Sequence, residues 1–350
     1  MPLTFDNELV ERFAMHLDRA KKIVVVSHLN PDGDAVGSSL ACYHWIGESF
    51  FAGRQRPEIS VILPHRCPPD MRYLPASETI VDAESDKERC ERLMMEADLI
   101  LGVDFNSSNR IIPLDEALKK SDAVKMLVDH HHNPDTALFP TTISVPDLSS
   151  TCEMLYWLFV QIIGDSSITL DTARCLFHGL NTDTGCFAYA NEDPSLYEAA
   201  AALLRHPVEP AEVHNITCNN YSYTKMEILG FLLTQRLKIF KDLHFAYIYI
   251  DAADLAAHGG TANDLEGLVN YTLMMGPVEV GVMVKETDGK VRLSFRAKHD
   301  FDVNRFANKY FGGGGHTKAS GATSPYDFQT TLKVLEEKMR EELTAAGIKK

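Results

Sequence analysis

Three short segments of this chain combine aspartate and histidine in patterns that suit metal chemistry. They are 28–34 (His-Leu-Asn-Pro-Asp-Gly-Asp), 129–131 (Asp-His-His) and 182–185 (Thr-Asp-Thr-Gly), and Asp104 follows a further apolar run. Carboxylates and imidazoles without a thiolate form a donor set for Mn²⁺ or Mg²⁺ rather than for structural zinc. The pattern therefore predicts metal-assisted hydrolysis, and a phosphate ester is the expected substrate.

The spacing of these residues divides them into two half-sites for divalent metals. One imidazole and two carboxylates come from the loop 28–34, where a proline and a glycine favour a tight turn. Asp104 has two oxygens and is able to supply one to each metal. Six metal ligands are therefore predicted: His28, Asp32, Asp34, Asp104, His130 and Asp183. Two metals about 3.5–4 Å apart activate a water and clamp a phosphoryl oxygen.

Each loop taken alone has a simpler explanation. Asp, Asn and Gly after a strand commonly form Asx-turns and helix caps. Consecutive histidines at 130–131 have no evident packing role, however, and the three segments occur in one chain. We therefore favour a metal site, with Mn²⁺ as the expected ion and Mg²⁺ as the alternative.

The first part of the chain alternates short apolar runs with helical patterns. Strands are predicted at 23–26, 59–63, 99–103 and 124–128, with helices at 35–51, 87–96 and 114–119. This alternation predicts an α/β fold whose mostly parallel sheet has helices on both faces. His28, Asp104 and Asp129 lie at the carboxyl ends of predicted strands, where such sheets bind ligands.

A second, smaller α+β domain is predicted after the polar segment 206–223. We assign a metal-binding catalytic domain to 1–205, a linker with a connecting helix at 225–240 to 206–240, and a substrate-binding domain to 241–350. The strands of the second domain are predicted at 245–250, 278–285 and 291–295, with a last helix from about Phe328.

The C-terminal part carries a glycine run and a local excess of basic residues. Gly313, Gly314, Gly315 and His316 follow one another, and glycine lets backbone N–H groups approach an anion closely. Residues 277–320 contain eight basic and five acidic side chains, among them Arg296 near a strand end. A phosphate-bearing substrate suits such a patch. Arg110 is a further candidate for phosphate, although a solvated loop charge explains it equally well.

Composition excludes several classes of protein. The chain has 350 residues, 45% hydrophobic, with a formal net charge of −15, which opposes binding of long nucleic acid. Seven scattered cysteines without a Cys-x-x-Cys pair favour a reducing compartment. Because no signal peptide and no apolar run of about 18 residues is evident, we expect a soluble cytoplasmic protein without a membrane segment.

The order of these motifs resembles the DHH phosphoesterase superfamily, and the Gly-Gly-Gly-Gly-His run at 312–316 resembles its DHH-associated domain. The resemblance implies two lobes with the active site in the cleft between them. It also implies that His28, Asp32 and Asp104 hold one metal, and that Asp34, Asp104, His130 and Asp183 hold the other. By the same resemblance His131 faces the scissile phosphate, while Arg296 and His316 hold the second phosphate or the nucleotide end.

The two-lobe arrangement is similar to that of the nanoRNase/pAp phosphatases within this superfamily. The resemblance therefore implies a hydrolase of very short oligoribonucleotides or of adenosine 3′,5′-bisphosphate (pAp), with His131, Asp104 and Arg296 as catalytic residues. Hydrolysis of pApA or cyclic di-AMP is an alternative, and a non-catalytic nucleotide sensor is an alternative of another class. A homodimer would be unsurprising.

Overall fold

The computed structural model describes residues 3–146, 148–188 and 194–347. The chain forms two compact units, residues 1–220 and 221–350. The segment 206–240, predicted to connect two domains, is divided between them. Its first part contains the helix Pro210–Cys218, which the polar sequence did not reveal. Its last four residues, Leu237–Phe240, form a strand.

The first unit contains a six-stranded sheet. Its strands are β1 Lys22–Val26, β2 Glu58–Leu63, β3 Val81–Asp82, β4 Leu99–Val103, β5 Val124–Asp129 and β6 Thr141–Ser144. All neighbours pair in parallel, in the order β3-β2-β1-β4-β5-β6. The predicted parallel sheet is confirmed; the two short strands β3 and β6 were missed because they carry too few apolar residues to give a pattern.

The helices of the first unit lie on both faces of this sheet. They are α1 Asn7–Arg19, α2 Gly33–His44, α3 Ala83–Glu96, α4 Asp115–Lys120, α5 Thr151–Ile162, α6 Leu170–Asp183, α7 Pro194–Leu203 and α8 Pro210–Cys218. A π-helical turn, Trp45–Phe50, continues α2. Alternate strand residues enter two different cores: Val25 packs with α1, α2 and α5, whereas Val24 packs with α3 and α4. This two-sided burial is what parallel sheets require.

The second unit is built on a mixed sheet in the order β11-β12-β10-β9-β8-β7. Its strands are β7 Leu237–Phe240, β8 Phe245–Ile250, β9 Val280–Thr287, β10 Lys290–Ala297, β11 Gly314–Gly315 and β12 Ala319–Thr323. Its helices are α9 Tyr223–Gln235, α10 Ala252–Ala257, α11 Asn270–Leu273, α12 Val303–Phe311 and α13 Phe328–Ala345. Only β8 and β9 pair in parallel; the remaining neighbours are antiparallel.

The predicted helix 225–240 was too long. Helix α9 ends at Gln235, and the chain continues as β7, which pairs with β8. The stacked rings of Phe240 and Phe245, 5.3 Å apart, belong to this pairing. Cross-strand aromatic contacts of this kind stabilise a strand against a local helical preference. In the described part of the chain, no helix has both the length and the apolar character needed to cross a bilayer.

Candidate metal centre

The six predicted metal ligands lie together in the first unit. His28 Nε2 is 3.3 Å from Asp104 Oδ2 and 3.7 Å from Asp32 Oδ2. His130 Nε2 is 3.5 Å from Asp104 Oδ1 and 3.4 Å from Asp183 Oδ2. Asp34 approaches the same group, since it forms a triad of possible ligand atoms with His130 and Asp183. Asp104 thus faces one imidazole with each of its oxygens.

Strand ends produce this convergence. His28 lies two residues beyond β1, Asp104 directly follows β4, and His130 directly follows β5. Since β1, β4 and β5 are adjacent and parallel, their carboxyl ends meet at one edge of the sheet. The chain order reverses between β1 and β4, which is where open α/β sheets form their ligand crevice.

The backbone fixes the orientation of both imidazoles. His28 Nδ1 lies 2.8 Å from the carbonyl oxygen of Leu29, and His130 Nδ1 lies 3.2 Å from that of Leu148. A carbonyl oxygen accepts only, so each Nδ1 carries the proton and donates it. Each Nε2 is then directed at the carboxylates, as in metal-binding histidines held by a second hydrogen bond.

Asp104 occupies an unusual backbone conformation. Its φ is +64°, in the left-handed region, which non-glycine residues seldom adopt. Its N–H donates to the carbonyl of Val128 on the neighbouring strand, at 3.1 Å. Thr151 Oγ1 donates to Asp104 Oδ1 at 3.0 Å, and both side chains are buried. Strained residues held by several contacts are typical of functional sites.

The N-terminus of α5 holds Asp34. The N–H groups of Thr151 and Cys152 donate to the two oxygens of the Asp34 carboxylate, at 2.6 and 2.9 Å. Ser150 caps the same helix by accepting from the N–H of Glu153 at 3.0 Å. The capping pattern was visible in the sequence, but the partner of the free N–H groups, a side chain 117 residues away, was not.

The electrostatics of this cluster favour a cation. Burial, together with the neighbouring carboxylates, raises the pKa of Asp34 and of Asp183 well above the ordinary value. Burial lowers the pKa of His28, but hydrogen bonds to Asp104 and Asp32 outweigh it and raise that pKa to about 10. The crowding of carboxylates therefore favours a positive charge among them, which a bound cation would supply.

The donor set fits two divalent ions. Ligands bound at about 2.1 Å from one ion lie about 3.0–3.4 Å apart, close to the nitrogen–oxygen distances of this cluster. His28, Asp32 and Asp104 form one triad, and Asp34, His130 and Asp183 form another. Oxygen and imidazole donors without thiolate suit Mn²⁺ or Mg²⁺.

His131 differs from His130 in its contacts. Its Nδ1 lies 2.7 Å from Asp129 Oδ1, and Asp129 is fully buried. Asp129 therefore holds the ring with Nε2 directed away from its carboxylate, although His131 also forms a triad of possible ligand atoms with Asp104 and His130. The sequence placed Asp129 at a strand end but did not predict this role. Burial lowers the pKa of His131, but the hydrogen bond to Asp129 and the charges of Asp104 and Asp129 outweigh it and raise that pKa, against a smaller opposing effect of Arg110.

The remaining predicted substrate-binding residues belong to the second unit. Arg296 on β10 pairs with Ala319 on β12, and Gly315 on β11 pairs with Ser320 on the same strand. The glycine run and Arg296 are therefore neighbours in one sheet. Packing also requires two of the glycines: a Cβ on Gly313 would lie 2.2 Å from the carbonyl oxygen of Gly321, and one on Gly315 would lie 2.7 Å from that of Ala319. His316 closes the turn between β11 and β12 through backbone hydrogen bonds with Ala319.

Comparisons with known proteins agree with this architecture. Residues 22–180 match the DHH family, N-terminal domain, and residues 242–341 match the DHHA1 domain. Two relatives are named bifunctional oligoribonuclease and PAP phosphatase NrnA. The Thermus thermophilus protein is 26% identical, covering 93% of this chain and 91% of its own length. The Bacillus subtilis protein is 27% identical, with coverages of 89% and 92%.

A solved structure is similar over nearly the whole chain. It is described as an exopolyphosphatase-related protein from Bacteroides fragilis, and it is 31% identical with a TM-score of 0.91. The alignment covers 98% of this chain and 99% of that one. The present chain therefore belongs to the DHH family and carries a DHHA1 domain in its C-terminal part.

Proposed function

We propose that this protein is a metal-dependent phosphohydrolase of small nucleotides. It removes nucleoside monophosphates from very short oligoribonucleotides and the 3′-phosphate from pAp. The observation that carries the proposal is the cluster of six donors, in which two imidazoles direct Nε2 at four carboxylates. The activities named for the relatives from T. thermophilus and B. subtilis support the substrate class.

The residues divide the work between metal binding and contact with the phosphate. Two divalent ions, Mn²⁺ in our proposal, supply Lewis-acid polarisation and lower the pKa of water when they are bound. Asp104 would supply one oxygen to each ion, and His28 and His130 would complete the two half-sites. The Nδ1–H of His131 donates to Asp129, so Nε2–H would donate to a phosphoryl oxygen in the protonated form of the ring, which the raised pKa of His131 favours.

The second unit supplies the substrate contacts in this proposal. Arg296 and His316 hold a second phosphate or the nucleotide end, and the backbone N–H groups of Gly313, Gly314 and Gly315 approach the same anion. The location of the reaction in a cleft between the two lobes stays a prediction. A cytoplasmic location and a homodimer also stay predictions.

A substrate panel tests the proposal. Purified protein is assayed with Mn²⁺, with Mg²⁺ and with EDTA on pAp, pApA, RNA of two to five and of twenty nucleotides, cyclic di-AMP and pyrophosphate. We expect metal-dependent turnover of pAp and of the shortest oligomers, and none of the 20-mer. Asp104→Asn abolishes this turnover, whereas Asp122→Asn, an exposed site on the same unit, retains it. Turnover of pyrophosphate alone would refute the substrate class, and no turnover of any compound would favour a nucleotide sensor.

A further inference from the structure

A pocket of about 470 Å³ lies in the first unit where β2 and β3 end. Arg66 follows β2, Asp82 ends β3, and both line the pocket together with Arg72, Glu78 and Ile80. This volume is within the range of small-molecule sites. None of the six predicted metal ligands lines the pocket.

The two arginines offer unused donors. Both side chains are exposed, and within residues 3–146, 148–188 and 194–347 neither guanidinium group forms a hydrogen bond or an ion pair. A guanidinium group binds phosphate oxygens in a bidentate manner. Two of them at one pocket therefore suit a phosphodiester.

The other lining residues favour a nucleotide over an inorganic anion. Glu78 and Asp82 bring carboxylates, of which Asp82 already accepts from the N–H of Ser85 at 2.7 Å. Carboxylates repel a free anion, but they accept hydrogen bonds from ribose hydroxyls, as acidic residues do in dinucleotide-binding folds. Ile80 adds an apolar contact. Donors, acceptors and an apolar side chain match the phosphate, ribose and base of a nucleotide.

Two hydrogen bonds connect this pocket to the metal centre. His65, which precedes Arg66, contacts Asn30 in the loop between His28 and Asp32: its Nδ1 lies 2.8 Å from Asn30 Oδ1 and 3.1 Å from the backbone nitrogen of Asn30. Tyr73, which follows Arg72, is hydrogen-bonded through its hydroxyl to His178 Nδ1 at 2.9 Å.

His178 lies on α6, the helix that ends at Asp183. Each arginine is thus adjacent in the chain to a residue that contacts an element bearing metal ligands. In the sheet, β2 lies next to β1 on the side away from β4. The pocket therefore lies beside the crevice of the metal centre, along the same edge of the sheet.

We propose that this pocket binds the neighbouring nucleotide of an oligoribonucleotide whose scissile phosphate is at the metal centre. Arg66 and Arg72 contact its phosphodiester, and Glu78 accepts from a ribose hydroxyl. The inference rests on the proposed function and adds a determinant of substrate length. Because pAp contains one nucleoside, it leaves the pocket empty.

The double variant Arg66→Ala/Arg72→Ala tests the pocket. We expect kcat/KM to fall about 10- to 100-fold on pApA and pApApA, since charge-assisted hydrogen bonds are lost, and to change less than about twofold on pAp. The matched control is Arg56→Ala, an exposed arginine just before β2 and hence at the opposite edge of the sheet. It should behave as wild type, and thermal unfolding should be unchanged in both proteins.

Binding is measured separately, so that the two proposals fail in different ways. Fluorescence anisotropy of a labelled triribonucleotide reports its affinity without turnover. Suppose that wild type binds the trimer without cleaving it and that the double variant binds it about tenfold more weakly. This result would support nucleotide binding in the pocket and refute the proposed function. An unchanged affinity in the double variant, or an equal loss of kcat/KM on pAp and on the oligomers, would overturn the pocket.

Discussion

Substitution of Gly179 by alanine tests whether close helix packing positions the metal ligands. Gly179 lies on α6 where this helix crosses α2. A Cβ at this position would lie 2.4 Å from Cys152 Sγ, 2.8 Å from Asp34 Oδ1 and 3.0 Å from Asp34 Cα. Since all three atoms are buried, the added methyl group must displace Asp34 or separate the helices.

The expected change in the free energy of unfolding combines one stabilising and two destabilising contributions. Alanine is favoured over glycine in a helix by about 1 kcal/mol. Overpacking of a buried contact costs about 1–3 kcal/mol, and each weakened hydrogen bond to the Asp34 carboxylate costs about 1.5–3 kcal/mol more. We therefore expect Gly179→Ala to lower the free energy of unfolding by about 2–4 kcal/mol. We also expect it to weaken Mn²⁺ binding at least about tenfold, because Asp34 moves.

Gly47→Ala is the matched control. Gly47 is also buried and helical in the first unit, but a Cβ there would make an ordinary contact, 3.5 Å from Ile59 Cδ1. This variant should be at least as stable as wild type and should bind Mn²⁺ normally. Urea unfolding gives the stability, and isothermal titration calorimetry gives the metal affinity. If Gly179→Ala matched the control in both measurements, the packing argument would be refuted.

Three further perturbations separate the roles of individual residues. Thr151→Val removes the hydroxyl donor to Asp104 and should weaken Mn²⁺ binding about 10- to 100-fold in calorimetry. Thr151→Ser keeps a hydroxyl group and should bind Mn²⁺ as wild type does. Equal affinities in the two variants would contradict the role of that hydrogen bond. His130→Ala should lose metal affinity. His131→Ala should keep its metal affinity within about threefold but lose turnover by about 10²-fold or more. A loss of metal affinity in His131→Ala would instead make His131 a metal ligand. Mn²⁺ at 100 times its dissociation constant should stabilise the folded protein by about 2.7 kcal/mol, measured by thermal unfolding. Asp104→Asn should abolish this stabilisation by Mn²⁺. If the variant retained it, the metal would bind elsewhere.

Much of the fold of the first unit is predictable from the sequence. Its long buried strands contain apolar runs of three to five residues, so β1, β2, β4 and β5 were predicted within one or two residues of their bounds. Short elements were not, because two-residue strands such as Val81–Asp82 carry no periodic signal. The helix α12 Val303–Phe311 and the strand β12 Ala319–Thr323 were missed as well, since they are short and lie among polar and glycine residues.

The sequence by itself determined which side chains were expected to converge at the candidate metal centre. Carboxyl ends of adjacent parallel strands meet at one edge, so residues that follow such strands must converge, whatever lies between them in the chain. The proximity of His28, Asp104 and His130 was therefore predictable from local patterns alone.

Only the tertiary structure decided how these side chains are held. The N–H groups of Thr151 and Cys152 bind Asp34, and Asp129 orients His131. The pocket of Arg66 and Arg72 likewise depends on contacts with Asn30 and α6. With the exception of the Asp129–His131 pair, these contacts join segments far apart in the chain. Their geometry depends on helix packing and strand order, which no local spacing of residue types encodes.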